Sequence, residues 1–152
     1  MEYKEALDRA ARLCSSQEYC ISDITRKLES WGLDPGNIKK ASNWLIKEKF
    51  IDEERYATYF VRDKFRLNKW GKLKIRYALR QKQIPPEHTE TALATIPDDE
   101  YRDACLDLLR QKEKTLKNEH YLKKKAKLAA FATQRGYEQG LVFELIGILT
   151  GH

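Results

Sequence analysis

Proline, glycine and cysteine are scarce in this chain, at 4, 7 and 3 of 152 residues. So few chain breakers exclude collagen-like, mucin-like and linker sequences, and they disfavour a turn-rich β-sandwich. Long apolar runs are also missing. The longest, Leu141 to Thr150, is interrupted by Glu144 and falls short of the roughly 20 residues a membrane-spanning helix needs. The opening MEYKEALDRAARL carries acidic residues and no continuous apolar stretch, so it reads as the start of a helix rather than a secretory signal. A cytoplasmic protein of one domain or a few small subdomains is expected, with no membrane contact.

Cys14, Cys20 and Cys105 lack the CxxC spacing that gathers thiolates on one metal, and are expected as small buried residues in a reducing compartment. His88, His120 and His152 form no HExxH arrangement and are expected at the surface or at helix ends. There is no GxxxxGK loop and no GxSxG elbow. Glu53-Glu54 and Asp98-Asp99-Glu100 are carboxylate clusters of the kind that holds a divalent metal for nuclease chemistry. Negative charge at the positive end of a helix dipole explains them more simply. The expectation is therefore no catalytic residue, no metal and no cofactor.

Charge, by contrast, is abundant and unevenly placed. Between Arg62 and Lys82 there are nine basic residues against Asp63 alone, and between Arg110 and Lys127 eight against Glu113 and Glu119. The stretch between these blocks is acidic, with Glu87, Glu90, Asp98, Asp99, Glu100, Asp103 and Asp107 against Arg102. Alternation on this scale points to a basic surface for a polyanion and a separate acidic region. A solvated, solubilising helix face is the alternative.

The chain also repeats itself. Ile24, Leu28, Leu33, Ala41 and Leu45 align with Ile75, Leu79, Ile84, Ala92 and Ile96 at a shift of 51, and these with Leu128, Ala132, Tyr137, Leu145 and Leu149 at a further shift of 53. Apolar steps of 4, 5, 8 and 4 read as an amphipathic helix, a turn and a second helix. Ahead of each pair runs another helical stretch, at Tyr3–Ser15, Glu53–Leu67 and Asp99–Leu116. The fold class is thus all-α: three tandem three-helix, helix-turn-helix-like repeats over 1–51, 52–97 and 98–152, expected to stack into an elongated, curved array.

Punctuation agrees. Gly32-Leu33-Asp34-Pro35 supplies a C-terminal Gly, an Asp cap and Pro at the first helical position. Pro85-Pro86-Glu87 and Pro97-Asp98-Asp99-Glu100 start later helices, Gly71 and Gly136 mark breaks, and Ser22 is expected to cap a helix. Trp31 and Trp44, on or at the ends of apolar faces, are expected in the core.

These residues resemble a family. Ile51-Asp52-Glu53-Glu54-Arg55-Tyr56-Ala57, then Phe60-Val61-Arg62, then Trp70-Gly71-Lys72 to Arg76, Leu79 and Lys82-Gln83-Ile84, resemble the central motif of the RecX regulatory proteins. Arg135-Gly136-Tyr137 resembles that family's terminal-repeat turn. Gln83 stands where the family usually has Gly, and Cys20 where it usually has Ser. The resemblance implies a non-enzymatic modulator that binds the RecA recombinase filament on single-stranded DNA, and double-stranded DNA as a second form. It implies restraint of filament growth, ATP hydrolysis and strand exchange in homologous recombination, DNA repair and the SOS response. A sequence-nonspecific DNA-binding helical-repeat protein with no recombinase target is the alternative, and a monomer is expected in either case.

For the contact surface, Arg62, Lys64, Arg66, Lys69, Lys72, Lys74 and Arg76 are the primary candidates, and Lys123, Lys124, Lys125 and Lys127 the second group. Trp70, an aromatic inside a basic run, is a candidate base-stacking platform, with core packing as its alternative. Asp52 and Arg55 are expected to form an inter-helix or capping pair. Charge reversal at Lys72, Lys74 and Arg76 is expected to abolish binding and leave the melting temperature nearly unchanged.

Overall fold

In the computed structural model, which describes residues 1–151, the chain is all-helical, with nine helices and no strand among the described residues. His152 lies outside them. The helices are α1 Tyr3–Ser16, α2 Ile21–Ser30, α3 Pro35–Lys47, α4 Glu53–Arg66, α5 Lys72–Gln81, α6 Pro86–Leu93, α7 Asp98–Lys114, α8 Tyr121–Gln134 and α9 Gln139–Thr150. α1, α4 and α7 match the three stretches whose bounds the sequence suggested, Tyr3–Ser15, Glu53–Leu67 and Asp99–Leu116, to within a residue or two at each end.

The chain gathers into two compact units. Unit 1 comprises Met1–Phe60 and Leu79–Ala92; unit 2 comprises Val61–Ala78 and Leu93–His152. In unit 1, Ala6, Ala10 and Cys14 recur every four residues along α1 and are fully or almost fully buried against Ile24, Leu28, Ile38, Ala41 and Leu45. Small side chains there let the three helices approach closely, and larger groups such as Tyr3, Leu7 and Phe50 close the edges. In unit 2 the buried residues include Val61, Phe65, Ile75, Tyr101, Cys105, Leu109, Leu128, Ala132, Tyr137, Val142, Leu145 and Ile146. Phe65, Tyr101 and Tyr137 form an aromatic row within it, with centroids 5.9 and 5.1 Å apart.

One helix ending recurs and accounts for the sequence repeat. At Gly32, Lys49, Gln83 and Gly136 the backbone turns left-handed, with φ of 88°, 63°, 63° and 94°. The next residue then donates its N–H five residues back: Leu33 to Leu28, Phe50 to Leu45, Ile84 to Leu79 and Tyr137 to Ala132, at 2.8 to 3.3 Å. This Schellman geometry brings an apolar side chain back onto the helix it ends. The step of five in the apolar pattern is that contact.

Cys14, Cys20 and Cys105 are buried, as expected. Burial pushes their thiols up, Cys14 to about 11 and Cys105 to about 12. Asp34 caps α3 by accepting the Asn37 N–H at 3.3 Å. Two local expectations are corrected. Ser22 does not cap α2: its hydroxyl donates to the Lys82 carbonyl at 2.8 Å, and the Glu53 carboxylate takes the Ile21 N–H at 3.1 Å instead. Trp44 is not core; it is 38% exposed and stacks on Phe50 at 5.6 Å, while Trp31 is half-buried beneath the Arg9 guanidinium. Asp52 and Arg55 form the expected capping pair at the start of α4, through the Asp52 carboxylate. Asp52 accepts the Arg55 N–H at 3.0 Å, and the Arg55 side chain turns to Glu18 at 2.6 Å.

Candidate functional site

All twelve candidate contact residues fall in unit 2. That unit carries 17 Lys and Arg against 10 Asp and Glu, a formal +7; unit 1 carries 12 against 13, a formal −1. Both basic blocks lie mainly in unit 2, and so do Asp98, Asp99, Glu100, Asp103 and Asp107 of the acidic stretch between them.

The primary candidates lie on the second half of α4, the turn after it, and the first half of α5. Arg62, Arg66 and Lys69 are exposed, and Lys64, Trp70, Lys72, Lys74 and Arg76 are half-buried. The ammonium groups of Lys64 and Lys74 lie 4.8 and 4.5 Å from the centroid of the Trp70 ring. Cations this near an aromatic face are attracted by its quadrupole, which keeps two positive charges beside one flat apolar group. Lys72 packs its ammonium 4.7 Å from the Tyr101 ring.

The turn that carries Lys69, Trp70 and Gly71 is held by backbone bonds. Lys69 has a left-handed φ of 58°, and its carbonyl accepts the Tyr137 hydroxyl at 2.9 Å. Three N–H groups at the start of α5 find partners in the same unit: Gly71 on the Arg135 carbonyl at 2.7 Å, Lys72 on the Tyr101 hydroxyl at 2.9 Å, and Leu73 on the Gly136 carbonyl at 2.9 Å. Tyr101 in turn donates to Glu138. Burial, with Glu138 beside it, raises the Tyr101 phenol well above its ordinary range, so it stays a neutral donor. Because these N–H groups are occupied, the start of α5 offers phosphate its flanking lysines rather than its amides.

The second group, on α8, is placed differently. Lys123 and Lys127 are exposed, and Lys124 and Lys125 half-buried. Lys124 pairs with Glu113 at 3.4 Å and Lys127 with Glu119 at 2.5 Å, and the Lys127 ammonium holds the Glu119 carboxyl below its ordinary range. Two of these four charges thus already have carboxylate partners.

Sequence reasoning missed Tyr101, Tyr137 and Glu138, which fix the Trp70 turn from 29 to 68 residues away. Tyr137 is legible as a position of the apolar repeat, but no local signal ties any of the three to the Trp70 turn. Sequence reasoning also missed Arg135 and Lys112, whose charged groups lie 3.7 and 5.2 Å from the Phe131 ring. A basic residue beside the Arg-Gly-aromatic turn was the available clue. Of the acidic clusters, Glu53 accepts the Ile21 N–H and Asp99 accepts the Glu100 N–H at 2.9 Å, both serving helix starts. Among the described residues no three His, Cys, Asp or Glu gather at metal-binding spacing.

A family profile described as the second three-helix domain of RecX matches residues 52–93. Regulatory protein RecX of Chlorobium phaeobacteroides is 34% identical over 144 residues, 94% of this chain and 92% of that one. The corresponding protein of Prosthecochloris aestuarii is 31% identical over 89% of this chain and 87% of its own. Regulatory protein RecX of Clostridium botulinum is 30% identical, but this chain spans 58% of its length. Among solved structures, RecX from Lactobacillus salivarius matches with a TM-score of 0.87 at 21% identity, over 99% of this chain and 97% of that one. The fold, the order of the motifs and these identities agree, and the chain belongs to the RecX family of regulatory proteins.

Proposed function

We propose that this chain modulates a RecA-type recombinase: it binds the RecA–DNA filament and restrains filament growth, ATP hydrolysis and strand exchange during homologous recombination, DNA repair and the SOS response. The observation that supports this reading best is the Trp70 turn, an aromatic between Lys64 and Lys74 on a backbone pinned by four hydrogen bonds, within a unit of formal charge +7. Such a turn gathers two ammonium groups around one aromatic ring on a backbone with little ordering left to do, and a base that stacks on the ring takes the place of an ammonium, which moves to a phosphate. Neutralised phosphates release counterions, which makes the affinity steeply salt-dependent.

In this reading Arg62, Lys64, Arg66, Lys69, Lys72, Lys74 and Arg76 form the main contact surface, and Lys123, Lys124, Lys125 and Lys127 a second one. Single-stranded DNA in the filament is the first target and double-stranded DNA the second. The three repeats, 1–51, 52–97 and 98–152, act as one monomeric, non-catalytic binder in the cytoplasm. No described helix is long and apolar enough to cross a membrane.

The test is the steady-state ATPase rate of the cognate RecA recombinase on single-stranded DNA, titrated with this protein, alongside binding to bare DNA at two salt concentrations. Inhibition at substoichiometric amounts is the expected result. An unchanged rate beside salt-sensitive binding to bare DNA would replace this reading with a nonspecific DNA binder.

A further inference from the structure

Unit 1 contains two hollows that share a wall. The first, about 570 Å³, lies between α2 and α3 and is lined by the apolar side chains of Ile21, Leu33, Pro35, Ile38 and Ile46, with one charge of each sign, Glu29 and Lys39. That volume is in the range of cavities that accept a side chain or small ligand. Ser42 also lines it, is 7% exposed, and its hydroxyl has no hydrogen-bond partner. A serine inside a helix ordinarily bonds a carbonyl one turn back, and a buried hydroxyl left unpaired costs about 1–3 kcal/mol.

The second hollow, about 440 Å³, shares Ile21 and Ile46 with the first and is walled by Asp52, Glu53 and Glu54, beside Lys49 and His88. Burial raises the Glu53 carboxyl above its ordinary range, although the Ile21 N–H it accepts acts in the opposite direction. A carboxylate stripped of water responds more strongly to an arriving cation than a solvated one does. A largely apolar chamber thus opens beside an acidic one.

We propose that this double hollow docks a protein segment in which an apolar side chain adjoins Lys or Arg. The apolar side chain fills the chamber between α2 and α3, and the cation faces the wall of Asp52, Glu53 and Glu54. Charge complementarity selects this occupant: a nucleic acid or an acidic peptide brings the wrong sign to that wall. The site is independent of the recombinase reading, since it uses no residue of unit 2.

The experiment titrates the isotope-labelled full chain, followed by amide chemical shifts, with a synthetic peptide of about 12 residues centred on Leu-Leu-Arg-Arg. A matched Leu-Leu-Glu-Glu peptide and a single-stranded oligonucleotide serve as comparisons. The arginine probe is expected to shift the amides of Ile21, Ser42, Ile46 and Glu54 with a Kd on the order of 10⁻⁴ M, and the glutamate probe to bind about tenfold more weakly or not at all. Glu54→Lys changes an exposed residue, so the fold should survive while the affinity for the arginine probe falls about three- to tenfold. Equal binding of both peptides, no shift at these amides at about 1 mM probe, the same shifts with the oligonucleotide, or indifference to Glu54→Lys would each overturn the proposal.

Discussion

Gly71 and Gly136 meet backbone to backbone: a methyl group on Gly71 would fall on the Gly136 carbonyl and the Tyr137 amide, and one on Gly136 on the Lys74 backbone. The contact is set by the bonds Gly71 N–H to Arg135 and Leu73 N–H to Gly136, which leave no room to slide.

Gly71→Ala is therefore expected to destabilise the protein by about 2–3 kcal/mol in urea unfolding, because backbone cannot swing aside as a flexible side chain does. Gly136→Ala adds the strain of a φ of 94°. Gly140→Ala is the control. Nothing lies within 4 Å of its added carbon, and alanine is the better helix former, so stability should hold or rise by up to about 1 kcal/mol.

Gln83 holds a left-handed φ of 63° at a helix end where Gly32 and Gly136 occupy the corresponding positions. Gln83→Gly should raise the urea midpoint, with a gain in stability of about 0.5–1 kcal/mol, by removing the clash that a β-carbon makes in this conformation. Gln83→Val should lower it. Equal midpoints for the three proteins would show that the turn carries no strain.

Asp23 and Lys82 form an ion pair of 2.6 Å, with side chains 18% and 33% exposed. Burial pushes the Asp23 carboxyl up, yet its hydrogen bonds to Lys82 and Cys20 outweigh that and hold it below its ordinary 3.8. A carboxyl lowered on folding stabilises above its unfolded pKa, and that stability is lost as pH falls through the folded value. Lys82→Met should cost about 1 kcal/mol near neutral pH, after screening of a partly exposed pair, and the gap from the parent should close below about pH 3. A gap independent of pH would mean that the methylenes of Lys82, not its charge, provide the stabilisation.

Lys64→Ala and Lys74→Ala should each weaken single-stranded DNA binding and flatten the dependence of log K on log salt by about 0.7, the expectation for one lost phosphate contact. Alanine keeps the Lys74 β-carbon that packs against Gly136, so the fold should be unaffected. Unchanged slopes in both variants would remove the Trp70 turn from the DNA-contacting surface.

The fold was legible because its periodicity is local. Fourteen of the fifteen aligned apolar positions are buried, Leu149 being half-buried, and the unusual step of five is a helix ending written in sequence. Ser22 shows where that legibility stops. Its composition-level role as a cap lost to the Lys82 carbonyl, 60 residues away, and no rule based on neighbours could see that acceptor. The basic candidates were legible as charge, whereas what holds them was not. Tyr101 and Glu138 belong to another stretch of chain, and their partnership with the Trp70 turn exists only after folding.

The three buried thiols also divide between the two units, Cys14 and Cys20 in unit 1 and Cys105 in unit 2. With their reactive thiolate forms suppressed in the native state, alkylation must await opening of the surrounding helices. The protein thus carries its own clocks, one set per unit. The labelling rates of Cys14 and Cys105 time the breathing of each half separately, and a ligand that clamps one half will slow its clock alone.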